Sequence, residues 1–208
     1  MKKEAQDILE ELFVRYPDIK SCREDIVNAF ALILEAYAFN KKLLICGNGG
    51  SASDAEHMVG ELLKNFKKHR KFSPNIEKSL LNEPELLKGL EKGYPAISLV
   101  SQSSFITAYM NDHDANFIFA QQVSVYGEMG DVLVCFSTSG NSKNCVNAAK
   151  VARALGLRVI SLTGKKESQL SEVSSVTIKV PETETYKVQE RHLPIYHALC
   201  AMIEEELD

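Results

Sequence analysis

The sequence has no tryptophan, no pair of cysteines in a CxxC spacing and no long apolar run. Its cysteines are odd in number and widely spaced, so we expect neither a disulfide framework nor a cysteine zinc site. No apolar stretch approaches the roughly 20 residues that cross a bilayer. The amino terminus enters an amphipathic pattern without the apolar core of a signal peptide. These absences predict a reduced, cytoplasmic protein.

An excess of positive charge is also missing. Lysine and arginine number 24 against 28 aspartates and glutamates, which gives a net charge of −4. Affinity for nucleic acid through a broad basic surface is therefore not expected. Hydrophobic residues make up 45% of the chain and charged residues 25%, both ordinary for a globular protein. A chain of 208 residues can bury the core of one sizeable domain.

Short apolar runs alternate with helical patterns along most of the chain. The helical patterns fall near residues 52–66, 103–111, 116–126, 143–155 and 186–206. The runs that predict strands lie near residues 42–46, 95–100, 131–136, 157–162 and 175–180. This alternation is typical of a doubly wound α/β fold, a five-stranded parallel sheet flanked by helices. We predict one domain over residues 1–208.

Two amphipathic helices precede the first strand, at residues 3–15 and about 20–39. We expect Asp18 or Ser21 to cap the second of them. This helical extension, residues 1–40, is more than a minimal α/β sheet requires. It is expected to cover the sheet or to pack against another subunit.

Residues 67–92 form an unusual connection between a helix and the second strand. They begin with the basic run Lys67–Lys71 and continue as a polar, leucine-containing stretch. One interpretation is a solvated helix end, which is what short charge runs usually are. The other is an inserted lid, or a basic flap that faces a phosphate over the site.

Two matched loops follow apolar strands. The run at residues 43–46 leads into Gly47–Ser51, and the run at residues 132–136 leads into Ser137–Ser142. In a parallel sheet such loops lie at the carboxyl ends of the strands, where free backbone N–H groups and helix N-termini favour an anion. Two such loops in one domain suggest that both ends of a phosphorylated or polyhydroxylated ligand are held.

Histidine and acidic or amide side chains recur at helical spacing. His57 and Glu61 are four residues apart, so they share one face of the helix that follows the first loop. In the last helix Gln189 and His197 share a face, and His192 is a near neighbour on it. Alone, each set fits a surface pair or a packing histidine as well as it fits a site.

The segment CGNGGSASDAEHMVGEL, residues 46–62, resembles the signature of the sugar isomerase (SIS) family. More narrowly, it is similar to the phosphoheptose isomerase branch. Three further motifs match that branch in order: Asn111–Asp112, Ser137–Ser142, and Val188–Glu190 followed by His197. The resemblance spans roughly residues 20–206 and implies the SIS, flavodoxin-like version of the doubly wound fold.

The resemblance also implies roles for matched residues. Members of the branch contact the sugar through the first loop and a later glutamine, here Asn48, Gly49, Gly50, Ser51 and Gln189. They bind the phosphate with hydroxyls and amides and hold sugar hydroxyls with an Asn-Asp pair, here Ser137, Thr138, Ser139, Ser142, Asn111 and Asp112. They hold zinc through four side chains, here His57, Glu61, Gln189 and His197. A homotetramer with active sites built from neighbouring subunits is implied as well.

The chain departs from the branch at several positions. Tyr186 stands where an aspartate usually precedes the matched glutamine by three residues. Gln102 replaces an aspartate after the second strand, and Gln121 replaces an arginine in the next helix. Residues 67–92 are longer than the usual connection. The substitutions remove charge around the expected site.

The activity that the resemblance implies is aldose–ketose isomerisation of a sugar phosphate such as sedoheptulose 7-phosphate. Proton transfer between C1 and C2 through an enediol needs a carbon base, for which Glu61 is the candidate, and an acid/base partner, for which His197 is. A bound zinc ion would polarise the sugar oxygens.

Other functions stay open at this point. The chain could be a non-catalytic SIS protein that binds a phosphosugar or assembles with another protein, or it could act on a different phosphosugar as an isomerase or lyase. A Rossmann dehydrogenase is disfavoured because the first loop lacks the GxGxxG spacing. A P-loop NTPase is excluded because no Gly-Lys-Ser/Thr follows either loop.

Overall fold

Five parallel strands form one sheet in the computed structural model, which describes residues 1–208. The strands are β1 (Leu43–Gly47), β2 (Ala96–Ser98), β3 (Val132–Phe136), β4 (Arg158–Thr163) and β5 (Val176–Lys179). Their order in the sheet, β2-β1-β3-β4-β5, confirms the predicted doubly wound fold. β1 and β3 are buried along their whole length because helices cover both faces, and they therefore read as continuous apolar runs.

Ten helices surround this sheet. They are α1 (Lys3–Arg15), α2 (Arg23–Ala38), α3 (Gly50–Leu63), α4 (Pro74–Ser79), α5 (Pro84–Gly89), α6 (Ser103–Asp112), α7 (Ile118–Tyr126), α8 (Lys143–Ala154), α9 (Gln169–Val173) and α10 (Thr185–Leu207). The seven longer ones lie where the periodicity predicts them. None of the helices combines the length and the apolar character needed to span a membrane.

Two hydrophobic cores lie on opposite faces of the sheet. Side chains alternate along β1, so Leu43 and Ile45 enter a core of 34 buried residues, whereas Leu44 and Cys46 enter one of 16. The larger core is shared with α1, α2, α3 and α10, and the smaller one with α7 and α8. All five cysteines are buried and free. The larger core holds α3 and α10 side by side, and this contact positions the candidate site.

The expected cap of the second helix is wrong. A 3₁₀ segment, Pro17–Cys22, fills the interval before α2, and the residue at the helix boundary is Cys22, with no side-chain cap. Because of this extra turn, Asp18 lies too early to reach the first amides of α2. Its carboxylate instead accepts a hydrogen bond from Arg191 of α10.

Arg70 departs from both interpretations of the basic run, whereas Lys67, Lys68, His69 and Lys71 are exposed, as the solvated interpretation expects. Its side chain is fully buried and pairs with the buried Glu204 of α10, with Nε donating to Oε1 at 2.8 Å. Its guanidinium also donates to the carbonyl oxygens of Leu62 and Glu61, at 2.8 and 3.1 Å, at the end of α3. Arg70 is therefore neither solvated nor placed toward a phosphate. It fastens the end of α3 to α10.

The rest of residues 67–92 is mostly exposed and contains the short helices α4 and α5. The two ends of the segment lie together, because the backbone N–H of Lys92 donates to the carbonyl of Arg70 at 3.2 Å. The carboxylate of Glu204 accepts three backbone N–H bonds from the entry of the segment, from Phe66, Lys67 and Lys68. The segment thus leaves the domain and rejoins it beside the buried ion pair of Arg70 and Glu204.

Candidate active site

The two matched loops meet at the carboxyl edge of the sheet. β1 and β3 are neighbours, and the chain departs from β1 toward opposite edges of the sheet, so the loops flank its switch point. Asn48 in the first loop and Asn144 in the first turn of α8 exchange two amide hydrogen bonds, at 3.0 and 2.8 Å. This pair ties the two loops to each other at that edge of the sheet.

The first loop is shaped by its glycines. Gly49 has a φ of 58°, a conformation that side chains disfavour. A Cβ on Gly50 would lie 2.7 Å from Nε2 of Gln189, so glycine lets the Gln189 amide rest directly against the start of α3. Asn48, Gly49 and Gly50 are exposed at the crevice, whereas Ser51 is buried at the start of α3.

The second loop has the features of an anion cradle. Ser137 Oγ donates to Ser142 Oγ at 3.1 Å, and Gly140 N–H donates to the carbonyl of Ser137 at 2.9 Å, which closes a tight turn. Ser142 precedes α8 without capping it through its side chain, so the amides of Lys143 and Asn144 stay available to a ligand, whereas the Cys145 N–H donates to Asn144 Oδ1 at 2.9 Å. Thr138 is half-buried and Ser139 exposed on the same loop.

A cluster of two histidines and a glutamate lies further along α3 and α10. His57 Nε2 is 3.2 Å from Glu61 Oε1 and 3.4 Å from His197 Nε2. The ring of Phe66 packs against His197, with the centroids 5.5 Å apart. The other oxygen of Glu61 lies 3.0 Å from Lys64 Nζ. The structure therefore brings together three of the four side chains in the expected metal set.

Tyr196 and Asp54 stand behind His57. The Tyr196 hydroxyl is 2.9 Å from His57 Nδ1 and 3.4 Å from Asp54 Oδ1, and the second carboxylate oxygen of Asp54 is buried without a partner. Burial raises the pKa of Asp54 to about 6, against the opposing effects of the Tyr196 hydroxyl and His57. Sequence reasoning missed both residues. The spacing of Asp54 three residues before His57, on one helix face, is the signal that could have found the first.

His197 is suited to accept a proton. Burial lowers the pKa of its imidazole, and the nearby His57 and Arg15 lower it further, while Glu61 opposes them. A ring with a lowered pKa is neutral at pH 7, which leaves one nitrogen free to take a proton.

Gln189 and His192 lie apart from this cluster. The Gln189 side chain rests against Gly50, seven residues before His57, which corresponds to about 10 Å along a helix axis. The Gln189 side chain therefore lies beside the first loop and away from the two histidines. His192 is fully buried near the ring of Phe136, and neither of its nitrogens makes a hydrogen bond of good geometry. Burial lowers its pKa to about 4, against the opposing effect of the Thr163 backbone.

Asn111 and Asp112 end α6 on the surface. Their side chains bond to each other, from Nδ2 to Oδ1 at 2.8 Å, and neither makes a hydrogen bond to the loops. The following turn packs against α8, where Asn147 donates to the carbonyl of Asn116 at 2.9 Å. The residues that replace the family's charges are all exposed, namely Tyr186, Gln102 and Gln121.

Comparison with known proteins shows which protein family this chain belongs to. The SIS domain model matches residues 17–92 and 91–164, so the chain belongs to the SIS domain family. It is 35% identical to the phosphoheptose isomerase of Aliarcobacter butzleri over 91% of this chain and 89% of that protein. It is 40% identical to the phosphoheptose isomerase of Geotalea daltonii, over 85% and 81% of the two chains. Within the family the chain falls in the phosphoheptose isomerase branch.

A solved structure agrees with this placement. The phosphoheptose isomerase of Neisseria gonorrhoeae superposes with a TM-score of 0.72 and 32% identity, covering 97% of this chain and 91% of that one. The overall fold and the family resemblance are thus confirmed together.

Proposed function

We propose that this chain is an aldose–ketose isomerase of sugar phosphates, acting on sedoheptulose 7-phosphate or a closely related sugar. The observation that carries the proposal is the junction of Glu61 and His197 through His57, in a chain that also has a hydroxyl-lined anion loop. The 35–40% identity to phosphoheptose isomerases supports the sugar class.

The loop Ser137–Ser142 would hold the phosphate through its hydroxyls and through the first amides of α8. The first loop, Asn48–Ser51, would contact the sugar chain, and Gln189 is close enough to Gly50 to join it. The pair Asn111–Asp112 would bind sugar hydroxyls, which requires the end of α6 to turn toward the bound sugar. Holding both ends of the ligand orients the reacting carbons toward the catalytic side chains.

The isomerisation needs one proton moved between carbons and one moved between oxygens. The Glu61 carboxylate takes the proton from C1 of the ketose, which gives the enediolate. The neutral His197 then takes the proton from O1 and passes it to O2, and Glu61 returns its proton to C2. Each group ends as it began, so no further reactant is consumed.

We also propose that the cluster binds zinc. No three histidine, cysteine, aspartate or glutamate side chains are already converged as a metal site. The two measured separations, 3.2 and 3.4 Å, nevertheless approach the roughly 3.3 Å between ligands of a tetrahedral zinc ion. Gln189 would have to rotate away from Gly50 to join His57, Glu61 and His197. A side chain that coordinates zinc cannot take a proton at the same time, so Glu61 and His197 would have to leave the ion during the proton transfers. When bound, zinc would polarise the sugar oxygens as a Lewis acid.

Elemental analysis tests the metal. Protein purified without chelator is expected to contain close to one zinc per chain, and His57→Ala to lose it. Absence of zinc in the wild type, together with unchanged activity after zinc is added, would reject this part of the proposal.

A homotetramer that works in the cytoplasm completes the proposal. His57 is 44% exposed, and beside His197 an open cavity of about 450 Å³ runs along α1. A neighbouring subunit would exclude water from this side of the site. Light scattering after size exclusion gives the mass directly, and a monomer at micromolar concentration would contradict the assembly.

The compartment is proposed on separate grounds. The five buried, unpaired thiols suit a reducing compartment.

Deuterium exchange tests the activity. In D₂O the wild type should exchange hydrogen at C1 of sedoheptulose 7-phosphate, as followed by NMR, and Glu61→Gln and His197→Asn should each be slower by at least about 100-fold. Glu56→Gln is the matched control, because Glu56 is an exposed carboxylate of the same helix. Near-normal exchange in both site variants would reject the assignment. Phosphosugar binding without exchange in the wild type would identify a non-catalytic SIS protein instead.

A further inference from the structure

His57 presents one ring nitrogen to the reacting cluster and the other to Tyr196. Resting on the proposed function, we infer that Tyr196 and Asp54 are positioning residues that fix the tautomer of His57. The proton of the neutral ring is kept on Nδ1, so Nε2 carries a lone pair toward Glu61 and His197.

The number of available protons determines the direction of the hydrogen bonds. The Tyr196 hydroxyl has a single proton and lies beside two acceptors, His57 Nδ1 and Asp54 Oδ1, at 2.9 and 3.4 Å. Tyr196 is the only hydrogen-bond donor that reaches the Asp54 side chain, whose second oxygen has no partner. If the phenol donated to His57, a partly buried carboxylate would be left without any bond, which is the costly outcome.

The opposite arrangement gives each of the three side chains a hydrogen bond. Tyr196 donates to the Asp54 carboxylate, which is the stronger acceptor, and its phenol oxygen accepts the Nδ1–H of His57. Nδ1 of His57 then holds the only proton of the neutral ring, and Nε2 is unprotonated.

This tautomer matters for the base. With a proton on Nε2, His57 would donate to Glu61 Oε1 at 3.2 Å and occupy the lone pair that has to take a proton from carbon. With Nε2 unprotonated, His57 instead accepts the Nε2–H of His197 at 3.4 Å. Glu61 Oε1 stays free of a donor from His57. The unprotonated nitrogen is also the form that binds a metal ion.

The Tyr196 ring keeps its place without the hydroxyl. Its face and edge pack against His57 and Phe136, with centroid separations of 5.5 and 5.6 Å and steep interplanar angles. Tyr196→Phe therefore removes one oxygen and preserves the packing. Tyr94→Phe is the matched control, because the Tyr94 hydroxyl donates to the Asp208 carboxylate at 2.7 Å, outside the site.

The decisive measurement is the ¹⁵N shift pair of the His57 ring, read in long-range ¹H–¹⁵N spectra at pH 8 with a chelator present. The wild type should show Nδ1–H, and Tyr196→Phe should move toward Nε2–H, the usual form of free histidine. Tyr94→Phe should match the wild type. A wild-type Nε2–H signal, or an unchanged tautomer in Tyr196→Phe, overturns the inference.

Kinetics supply a second readout. We expect Tyr196→Phe to lower kcat about 10-fold with KM within a factor of two, as supporting residues of this kind do. Asp54→Asn keeps an acceptor oxygen for the Tyr196 hydroxyl, so its kcat should fall less than that of Asp54→Ala. Normal kcat in a Tyr196→Phe variant whose tautomer is unchanged would sink the inference and leave the proposed function standing. A wild type that isomerises no sugar phosphate would reject the proposed function, and the shift pair would still decide the tautomer.

Discussion

Gly50 shows how one missing side chain positions another residue. Its backbone has no unusual dihedral, yet a methyl group there would lie 2.7–2.9 Å from the amide atoms of Gln189. The amide is the end of a flexible chain and can move aside. The cost of the collision should therefore appear mainly in ligand binding and only slightly in folding.

We expect Gly50→Ala to raise KM for the sugar phosphate several-fold while lowering the free energy of unfolding by less than about 1 kcal/mol. In a Gln189→Ala background the three atoms nearest to the added methyl group are gone, so most of its effect on unfolding should disappear. A double-mutant cycle by urea denaturation measures the coupling between the two sites. Additive effects would show that the contact is not formed.

Single residues were predictable where a motif marks them. His57, Glu61 and His197 stand in matched motifs, and the structure clusters them. Tyr196 was not found because it belongs to an apolar stripe of α10, where an aromatic residue is expected in the core. Arg70 was misjudged because a charge run read along the chain gives no sign that one member turns inward.

At the scale of elements, the buried pair Arg70–Glu204 joins α3 to α10 below the site. Removing the charge of one partner leaves the other buried without compensation, which typically costs 3–5 kcal/mol. Both helices carry catalytic candidates, so this pair stabilises the scaffold on which Glu61 and His197 are held.

Glu204→Gln is therefore expected to lower the free energy of unfolding by about 3 kcal/mol, as measured by urea denaturation. Glu190→Gln, on an exposed stretch of the same helix, should change it by less than about 0.5 kcal/mol. Equal stability of the two variants would mean that Arg70 is not buried against Glu204 in solution.

Helices could be predicted from the sequence where they are long enough for apolar residues to repeat at helical spacing. The seven long helices repeat an apolar face over several turns and were located within about three residues. The helices α4, α5 and α9 have only five or six residues, too few for a repeat to show. The start of α2 was misjudged because a 3₁₀ segment separates the capping candidates from the helix.

For the whole molecule, the alternation of strands and helices was enough to predict the doubly wound sheet. The contact between α3 and α10 was not readable from any pattern, since about 140 residues separate His57 from His197. Only the family resemblance linked these helices. Long-range packing of this kind depends on shape complementarity in the core, which a linear pattern does not record.

Overall stability should depend on pH through His192. Its pKa is about 4 when folded, below the ordinary value of about 6.5, because burial opposes the charged ring. Between these values the unfolded chain binds a proton that the folded chain does not. The free energy of unfolding should therefore fall as the pH is lowered from 7 to 4, by on the order of 3 kcal/mol from this group.

The comparison with His192→Leu isolates this contribution. The unfolding free energy of the wild type minus that of the variant should decrease as the pH falls through that window. His69→Gln, at an exposed histidine, serves as the control and should follow the wild type. A difference that is independent of pH would show that His192 has an ordinary pKa.

The backbone hydrogen bond between Lys92 and Arg70 closes the residues between them into a loop that can be exchanged as a unit. An excursion that leaves and re-enters a domain at one point can change length at little cost, since loop entropy grows slowly with length. Residues 71–91 are thus a natural place to graft or remove sequence. A chain in which a short glycine-serine linker replaces them should lose only the helical circular dichroism signal of α4 and α5 and should keep its buried ion pair. The same point of attachment would let evolution add a new surface to the enzyme without moving Glu61.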